Sequence, residues 1–137
     1  MFEVSEQSCC LHIRMSSALE KIDAACELVM RFLEKLGMER HVFEVQLLTR
    51  EALINAIIHG SGNDRGKTID YGIRLDGNCL IMEVEDPGDG FNWPARLGKE
   101  PNMSSESGRG LFIMKEYATA IVYNAKGNRL ILSKLIG

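Results

Sequence analysis

The sequence predicts a two-layer α/β sandwich in which helices cover one face of a mixed, mostly antiparallel sheet. Five segments alternate apolar and polar residues as half-buried strands do, and three others place apolar residues at helical spacing. These strands and helices neither alternate strictly nor separate into two blocks along the chain. The dipeptide Asp76-Gly77 is a strong hairpin signal between two consecutive strands, which favours antiparallel pairing.

The first two elements are a strand and a helix. Residues 9–15 alternate and predict a half-buried strand. Ser17 and Glu20 then form the Ser-x-x-Glu pattern of a capping box, and Gly37 is placed to end the helix that follows. The residues of this helix that we expect to face the core are Leu19, Ile22, Cys26, Val29, Leu33 and Leu36.

A second helix is expected over residues 39–59, with Gly60 at its end. Its later half carries a polar row, because Glu51, Asn55 and His59 are each four residues apart and therefore share one face. This row is either a solvated stripe or a functional face. The apolar residues expected to point inward are Phe43, Leu47, Leu53, Ile54 and Ile57.

The C-terminal half predicts four further strands and one helix. Residues 61–67 are loop by composition, and residues 91–107 have no clear periodicity. A helix of about ten residues is expected from Gly110 onward. The four strands are expected at residues 69–75, 78–85, 120–124 and 129–135.

The composition describes an ordinary globular protein, with 45% hydrophobic and 26% charged residues in 137, and we expect one domain over residues 1–137. A net charge of -3 offers no electrostatic case for binding nucleic acid or an anionic membrane. No apolar run approaches the roughly 20 residues of a membrane span, and no signal peptide is evident. The cysteines lack zinc-ligand spacing, which indicates reduced thiols in a cytoplasmic protein; they are Cys9, Cys10, Cys26 and Cys79.

Two glycine-containing patches follow the polar row. Asp86 ends a strand and precedes Gly88 and Gly90, an arrangement that places a buried acceptor beside backbone that a ligand can approach closely. Such an acceptor suits an exocyclic amine, as on adenine; the alternative is a tight Asp-Pro-Gly turn. Gly108 and Gly110 lie just before a predicted helix, where free backbone N–H groups can hold phosphate.

The polar row gains two chemical roles if a nucleotide binds near it. The amide oxygen of Asn55 suits Mg²⁺, which prefers oxygen ligands and takes much of its shell from substrate phosphates. Glu51, one turn earlier, is placed to accept a proton from an attacking hydroxyl or water.

Together the three patches resemble the N box, G1 box and G2 box of the GHKL ATPase superfamily, which includes gyrase and histidine kinases. They are most similar to its small branch of anti-sigma factor serine kinases. The likeness covers nearly the whole chain, and all three boxes occur in the family's order. The matching segments are Glu51-x-x-x-Asn55-Ala56-x-x-His59-Gly60, Asp86-x-Gly88-x-Gly90-Phe91 and Gly108-Arg109-Gly110-Leu111-Phe112.

The resemblance implies the Bergerat fold, with ATP and Mg²⁺ bound on the helical side of the sheet. In the family the residue matching Glu51 is the general base, the one matching Asn55 holds Mg²⁺, and the one matching Asp86 binds the adenine amine. The residues that the resemblance assigns to nucleotide binding are Asn55, His59, Asp86, Gly88, Gly90, Gly108, Arg109, Gly110 and Leu111.

The resemblance also implies a function, namely phosphorylation of a serine on a STAS-type antagonist by a kinase that sequesters a sigma factor. The alternatives are a nucleotide-binding switch or anti-sigma module without phosphotransfer and the detached catalytic domain of a histidine kinase. His59 matches the family pattern or simply caps its helix, and the role of Arg109 stays open because Glu106 stands where some members carry a basic residue. A homodimer is expected by likeness, with His12 and Arg14 on the candidate surface.

Overall fold

The computed structural model describes residues 1–60, 64–86, 113–124 and 128–136, with residues 59 and 60 described by their backbone only. Short 3₁₀ turns precede both α-helices, a π-helical turn follows the second one, and residues 113–117 are helical as well. In chain order the main elements are β1 (Phe2–Gln7), β2 (Cys10–Ser16), α1 (Ile22–Lys35), α2 (Val42–Asn55), β3 (Thr68–Asp76), β4 (Cys79–Glu85), β5 (Ala120–Tyr123) and β6 (Arg129–Leu135).

The strands form one sheet in the order β1-β2-β3-β4-β6-β5, and each neighbouring pair is antiparallel. Alternate residues of the four central strands are buried on one face, where α1 and α2 pack against them in a shared hydrophobic core. One row across this inner face runs through Ile13, Tyr71, Val84 and Leu130. The predicted two-layer α/β sandwich is confirmed.

Strand β1 is an element that the sequence does not predict. Five of its six residues are exposed, so its side chains lack the buried alternation that identifies a half-buried strand. It lies at an edge of the sheet and pairs in full register with β2, from Phe2 opposite Met15 to Gln7 opposite Cys10. Backbone hydrogen bonds, which leave no pattern in the sequence, therefore define this strand.

The predicted capping box at the start of the first helix is wrong. A 3₁₀ turn at Leu19–Lys21 comes first, with Ala18 at its N-cap and no side-chain cap bond, and α1 begins only at Ile22. Glu20 is paired instead with the guanidinium of Arg65, and this hydrogen bond lowers the pKa of the Glu20 carboxyl. A carboxylate gains more from a charged bidentate partner than from one backbone N–H.

Gly37 ends the first helix as predicted. Its φ of 72° is the left-handed conformation that glycine adopts without steric cost. The backbone N–H of Gly37 donates to the carbonyl oxygen of Glu34 at 3.0 Å, and the N–H of Met38 donates to the carbonyl oxygen of Leu33 at 2.9 Å. These two bonds form a Schellman motif, which satisfies carbonyl groups that the helix end leaves open.

The inner faces of the two helices agree with the prediction only in part. Leu19 and Phe43 were expected in the core but are 50% and 68% exposed. Leu53 and Ile57 are buried as predicted, although apolar residues occur on almost every side of α2, so that periodicity does not single out one inner face. The buried residues of α2 are Val45, Leu48, Thr49, Ala52, Leu53 and Asn55.

Both predicted hairpins are present. The loop between β3 and β4 is Gly77 and Asn78, and Gly77 has a φ of 63°. Strands β5 and β6 pair from Ala120 opposite Ser133 to Tyr123 opposite Leu130. The predicted start of the third helix at residue 110 lies outside the described residues.

None of the helices in the described part of the chain combines the length and apolarity that crossing a bilayer requires. All four cysteines are free thiols in the structure. Burial raises the pKa of the Cys26 thiol, which packs in the core between the helices and the sheet.

Candidate functional site

The C-terminal part of α2 places a polar side chain inside the molecule. Ala52 and Leu53 on this part of the helix pack into the core, and Asn55, the last residue of α2, is only 3% exposed. Glu51 lies one turn earlier on the same α-helix and is half-buried. The predicted four-residue spacing of Glu51 and Asn55 therefore holds within regular α-helix.

The amide of Asn55 is a buried polar group that the rest of the described structure does not satisfy. Its Nδ2 atom has no hydrogen-bond partner among the described residues. An unsatisfied buried donor costs about 1–3 kcal/mol, so a native protein retains few of them, and bound water, an ion or a role at a functional site accounts for those that remain. A phosphate oxygen is an acceptor for such a donor.

The donor set at Asn55 fits a magnesium nucleotide better than a metal held by the protein alone. Among the described residues, no group of three or more His, Cys, Asp or Glu side chains could hold a metal ion. One amide oxygen from Asn55 is therefore the kind of ligand available here, with phosphates and water completing the shell. Mg²⁺ accepts that arrangement readily.

The helix changes type immediately after Asn55. Residues Ala56–Gly60 form a π-helical turn, in which hydrogen bonds join residues five apart instead of four. The four-residue rule that placed His59 in one row with Glu51 and Asn55 applies to α-helix and does not extend into this turn. The side chain of His59 lies outside the described part of the chain. Single π-helical turns are frequent at functional sites.

Asp86 lies at the end of β4 on the helical side of the sheet. It continues the alternation of Leu80, Met82 and Val84, which are all buried on the inner face, and it is 7% exposed. Its backbone N–H donates to the carbonyl of Asn128 at 3.0 Å, and Nδ2 of Asn128 donates to the Asp86 carbonyl at 2.9 Å. These two bonds fix the backbone of Asp86 at the end of β4.

Two asparagines that support Asp86 were missed in the sequence. Nδ2 of Asn124 donates to Oδ1 of Asn128 at 2.8 Å, and Oδ1 of Asn124 accepts from the backbone N–H groups of Asn128 and Arg129. This network closes the β5–β6 hairpin and fixes the residue that bonds Asp86. The only signal was two asparagines flanking a turn, which is common in any hairpin.

The other predicted site residues lie outside the described residues. These include the glycines of both glycine patches, whose assignment to nucleotide binding therefore stays a prediction. The helical segment at residues 113–117 follows the second patch directly, and its Met114 is buried. The residues concerned are Gly88, Gly90, Gly108, Arg109, Gly110 and Leu111.

Arg50 of α2 is half-buried and carries a fixed positive charge next to Glu51 in the chain. Its guanidinium donates to Oδ1 of Asp23 on α1 at 2.8 Å. This hydrogen bond raises the pKa of Arg50, and the nearby carboxylate of Glu51 acts in the same direction. Arg50 therefore links the two helices close to the candidate general base.

The outer face of the sheet carries paired charges. Oδ1 of Asp70 lies 3.4 Å from Nε2 of His12 and 3.9 Å from Nε of Arg14. Gly72 leaves a depression of about 320 Å³ beside them. These groups lie on the side of the sheet away from Asn55, and this surface is where we predict a second copy to bind.

Glu83 forms a second charged cluster on the outer face. It accepts hydrogen bonds from Arg74 and Arg129, each at 2.5 Å. Partial burial acts to raise the pKa of Glu83, but the two arginines outweigh it, so the pKa is lowered. The cluster ties β3, β4 and β6 together across the sheet.

Comparison with known proteins adds independent information on this fold and site. A family model described as histidine kinase-like ATPase domain matches residues 15–134, a range that includes Glu51, Asn55 and Asp86 and leaves out β1. Two curated relatives, from Geobacillus stearothermophilus and Geobacillus kaustophilus (strain HTA426), are each named anti-sigma F factor. Each is 23% identical over 125 residues, covering 87% of this chain and 85% of the relative.

Proposed function

This chain belongs to the histidine kinase-like ATPase domain family, and from that membership we propose that it is an ATP-binding anti-sigma factor with serine-protein kinase activity. Its substrate is a serine on a STAS-type antagonist, and its second partner is a sigma factor in the cytoplasm. The two relatives named anti-sigma F factor support this branch of the family. The membership itself implies ATP binding.

The observation that carries the proposal is the buried amide of Asn55. Its Nδ2 lacks an acceptor among the described residues, and it lies one helical turn from a half-buried carboxylate. A solvated polar stripe would expose both groups and leave no buried donor unsatisfied. A nucleotide phosphate supplies the acceptor, which explains why the amide is retained inside the molecule.

Each residue then has a distinct role in phosphoryl transfer. Mg²⁺, when bound with ATP, neutralises the charge that develops on the phosphates. Asn55 offers Oδ1 to the metal and Nδ2 to a phosphate oxygen. Asp86 accepts a hydrogen bond from the adenine amine. Glu51 accepts the proton that the substrate serine loses as its oxygen bonds to the γ-phosphorus and ADP leaves.

The test uses the purified chain, its cognate STAS partner and labelled ATP. We expect phosphate transfer by the native chain and a loss of about 10²–10⁴-fold on Glu51→Gln, because that variant keeps the shape of the side chain and removes the base. Glu34→Gln on the exposed face of α1 is the matched control and should transfer phosphate at the native rate.

Two outcomes would change the assignment. If the native chain transfers no phosphate to any STAS partner but binds ATP in calorimetry, the protein is a nucleotide-binding switch without kinase activity. If it binds no ATP, the proposed site at Asn55 is wrong as well. Retention of a sigma factor on the immobilised chain, and its release by the antagonist, tests the anti-sigma role separately.

A further inference from the structure

A buried hydrogen bond joins α2 to the middle of the sheet. Oγ1 of Thr49 and the phenolic oxygen of Tyr71 are 2.8 Å apart, and both residues are 0% exposed. Tyr71 lies in the centre of β3, paired with Ile13 of β2 on one side and Val84 of β4 on the other. The sheet therefore offers this bond a rigid anchor.

The other polar links that α2 makes among the described residues are less completely buried. Glu44 of α2 pairs with Lys134 of β6, and their side chains are 39% and 11% exposed. Arg50 and Asp23 form an ion pair in which their side chains are 43% and 86% exposed, and such exposed pairs hold geometry weakly. Nε2 of Gln46 donates to the carbonyl of Cys26 at 3.1 Å in a partly buried contact. The Thr49–Tyr71 bond is fully buried, so water cannot replace either partner.

Apolar packing alone defines the rotation of α2 weakly. Phe43 is exposed and Leu47 half-buried, while Val45 and Leu48 are buried, so apolar side chains surround much of the helix. Hydrophobic attraction has no preferred direction, and rotating such a helix exchanges one apolar side chain for another. A hydrogen bond requires both a short distance and alignment, so it distinguishes one rotation from its neighbours.

We propose that Thr49 and Tyr71 are positioning residues, whose buried hydrogen bond sets the rotation of α2 and so places Glu51 and Asn55 at the nucleotide site. This inference rests on the function proposed above. At about 100° per residue, Glu51 and Asn55 lie roughly 200° and 240° around the helix from Thr49. Any rotation about the axis therefore displaces both functional groups.

The displacement is large enough to affect catalysis. A side chain about 5–6 Å from the helix axis moves about 1 Å when the helix rotates by roughly 10°. A misplacement of about 1 Å can lower the rate of a reaction about 100-fold. Loss of one distant hydroxyl group can therefore affect phosphate transfer without any contact with the nucleotide.

The experiment compares Tyr71→Phe, Thr49→Val and the double variant. Each single variant leaves one buried hydroxyl group unpaired, whereas the double variant leaves two apolar groups of native shape. We expect the urea midpoint to fall in both single variants and to recover in the double variant. The positioning role predicts that kcat for phosphate transfer falls at least about tenfold in all three and does not recover in the double variant.

A second readout follows Asn55 without turnover. Calorimetry gives the ATP dissociation constant in EDTA and in Mg²⁺, and the first divided by the second measures how much Mg²⁺ strengthens ATP binding. This ratio should be about tenfold smaller in the double variant than in the native chain. The affinity in EDTA should fall less than the affinity with Mg²⁺, because Asp86 keeps its place on the sheet and only the contact of Asn55 Nδ2 with a phosphate oxygen is weakened. Thr49→Ser keeps the hydroxyl group and should restore the native ratio, and Ile13→Val, a core change beside Tyr71, should leave it unchanged.

Hydrogen exchange measured without nucleotide separates failure of this inference from failure of the proposed function. We expect the amides of residues 51–55 to exchange faster in the double variant than in Ile13→Val, with α1 unchanged. In the double variant the amide exchange rates, kcat and the ratio of the two ATP dissociation constants could all return to native values together with the urea midpoint. In that case the bond only stabilises the fold and the inference is wrong. If exchange responds but the native chain binds no ATP, the helix is positioned as inferred and the proposed function is wrong.

Discussion

Replacing Asn55 with leucine should make the protein more stable and at the same time remove its nucleotide site. Asn55 is 3% exposed, and its Nδ2 has no partner in the described part of the chain. Leucine has nearly the same size, buries no polar atom and favours helix. Removing an unsatisfied buried donor should recover part of its cost of about 1–3 kcal/mol.

The expected gain is measurable by unfolding in the absence of nucleotide. A net stabilisation of about 1 kcal/mol corresponds to a rise in Tm of roughly 2–8 °C for a domain of this size. Thr49→Val is the matched control, because it makes the same polar-to-apolar change at a buried position of α2 where the hydroxyl group has a partner. The control should lower the Tm by leaving the Tyr71 hydroxyl unpaired.

Adding Mg²⁺ and ATP should reverse the order of stability. A ligand present at 100 times its dissociation constant stabilises the folded state by about 2.7 kcal/mol. The native chain should gain this amount, whereas Asn55→Leu should gain little, so the native chain becomes the more stable of the two. A leucine variant that unfolds at a lower temperature than the native chain without nucleotide would show that the Asn55 amide is satisfied and would refute the reasoning.

Three further predictions concern the sheet. Asp86→Asn should weaken ATP binding at least about tenfold, both with and without Mg²⁺. Its Tm should stay close to native, because hydrogen bonds between Asn128 and the backbone of Asp86 hold the strand end. If calorimetry finds native affinity, the assignment of Asp86 to adenine binding is contradicted. Because the pKa of Glu83 is lowered in the folded state, its ionised form stabilises the fold at pH values above its ordinary pKa of 4.5, and this contribution is lost as pH falls through the lower pKa of the folded state. The urea midpoints of Glu83→Gln and the native chain should therefore differ at pH 6 and converge toward pH 3. A difference that stays constant with pH argues against this linkage. Arg14→Glu places a second negative charge beside Asp70 on the outer face, so it should lower the sedimenting mass if that face joins two copies, and an unchanged sedimentation profile counts against the predicted homodimer.

Helix α2 shows where sequence patterns were sufficient and where they were not. The spacing of Glu51 and Asn55 predicted a shared polar row, and both residues lie in regular α-helix as that spacing requires. The same sequence led to a wrong inner face for Phe43, because an apolar residue on a helix surrounded by apolar residues gives no information about which side is buried. Contacts with the sheet decide that question, and the buried bond between Thr49 and Tyr71 is one of them.

The sheet shows the same division. Strands β2, β3, β4 and β6 were predicted because one face of each is buried and its apolar residues therefore alternate. Strand β1 has five exposed residues of six, so backbone pairing with β2, rather than a buried face, mainly determines its place in the sheet. Glu20 was likewise predicted to cap a helix from its local spacing, whereas the distant Arg65 provides its partner.

The sequence by itself determined the fold class, the positions of the main strands along the chain and the four-residue spacing of Glu51 and Asn55. These features depend on local periodicity and on residue types at short spacing, which a single chain displays directly. Only the tertiary structure decided that Nδ2 of Asn55 is buried without a partner among the described residues, that Asp86 is held by Asn128, and that α2 is bonded to the sheet through Thr49. Each of these features depends on residues that are far apart in the chain. Burial and long-range hydrogen bonds arise only when the helices pack on the sheet, so local sequence patterns do not reveal them.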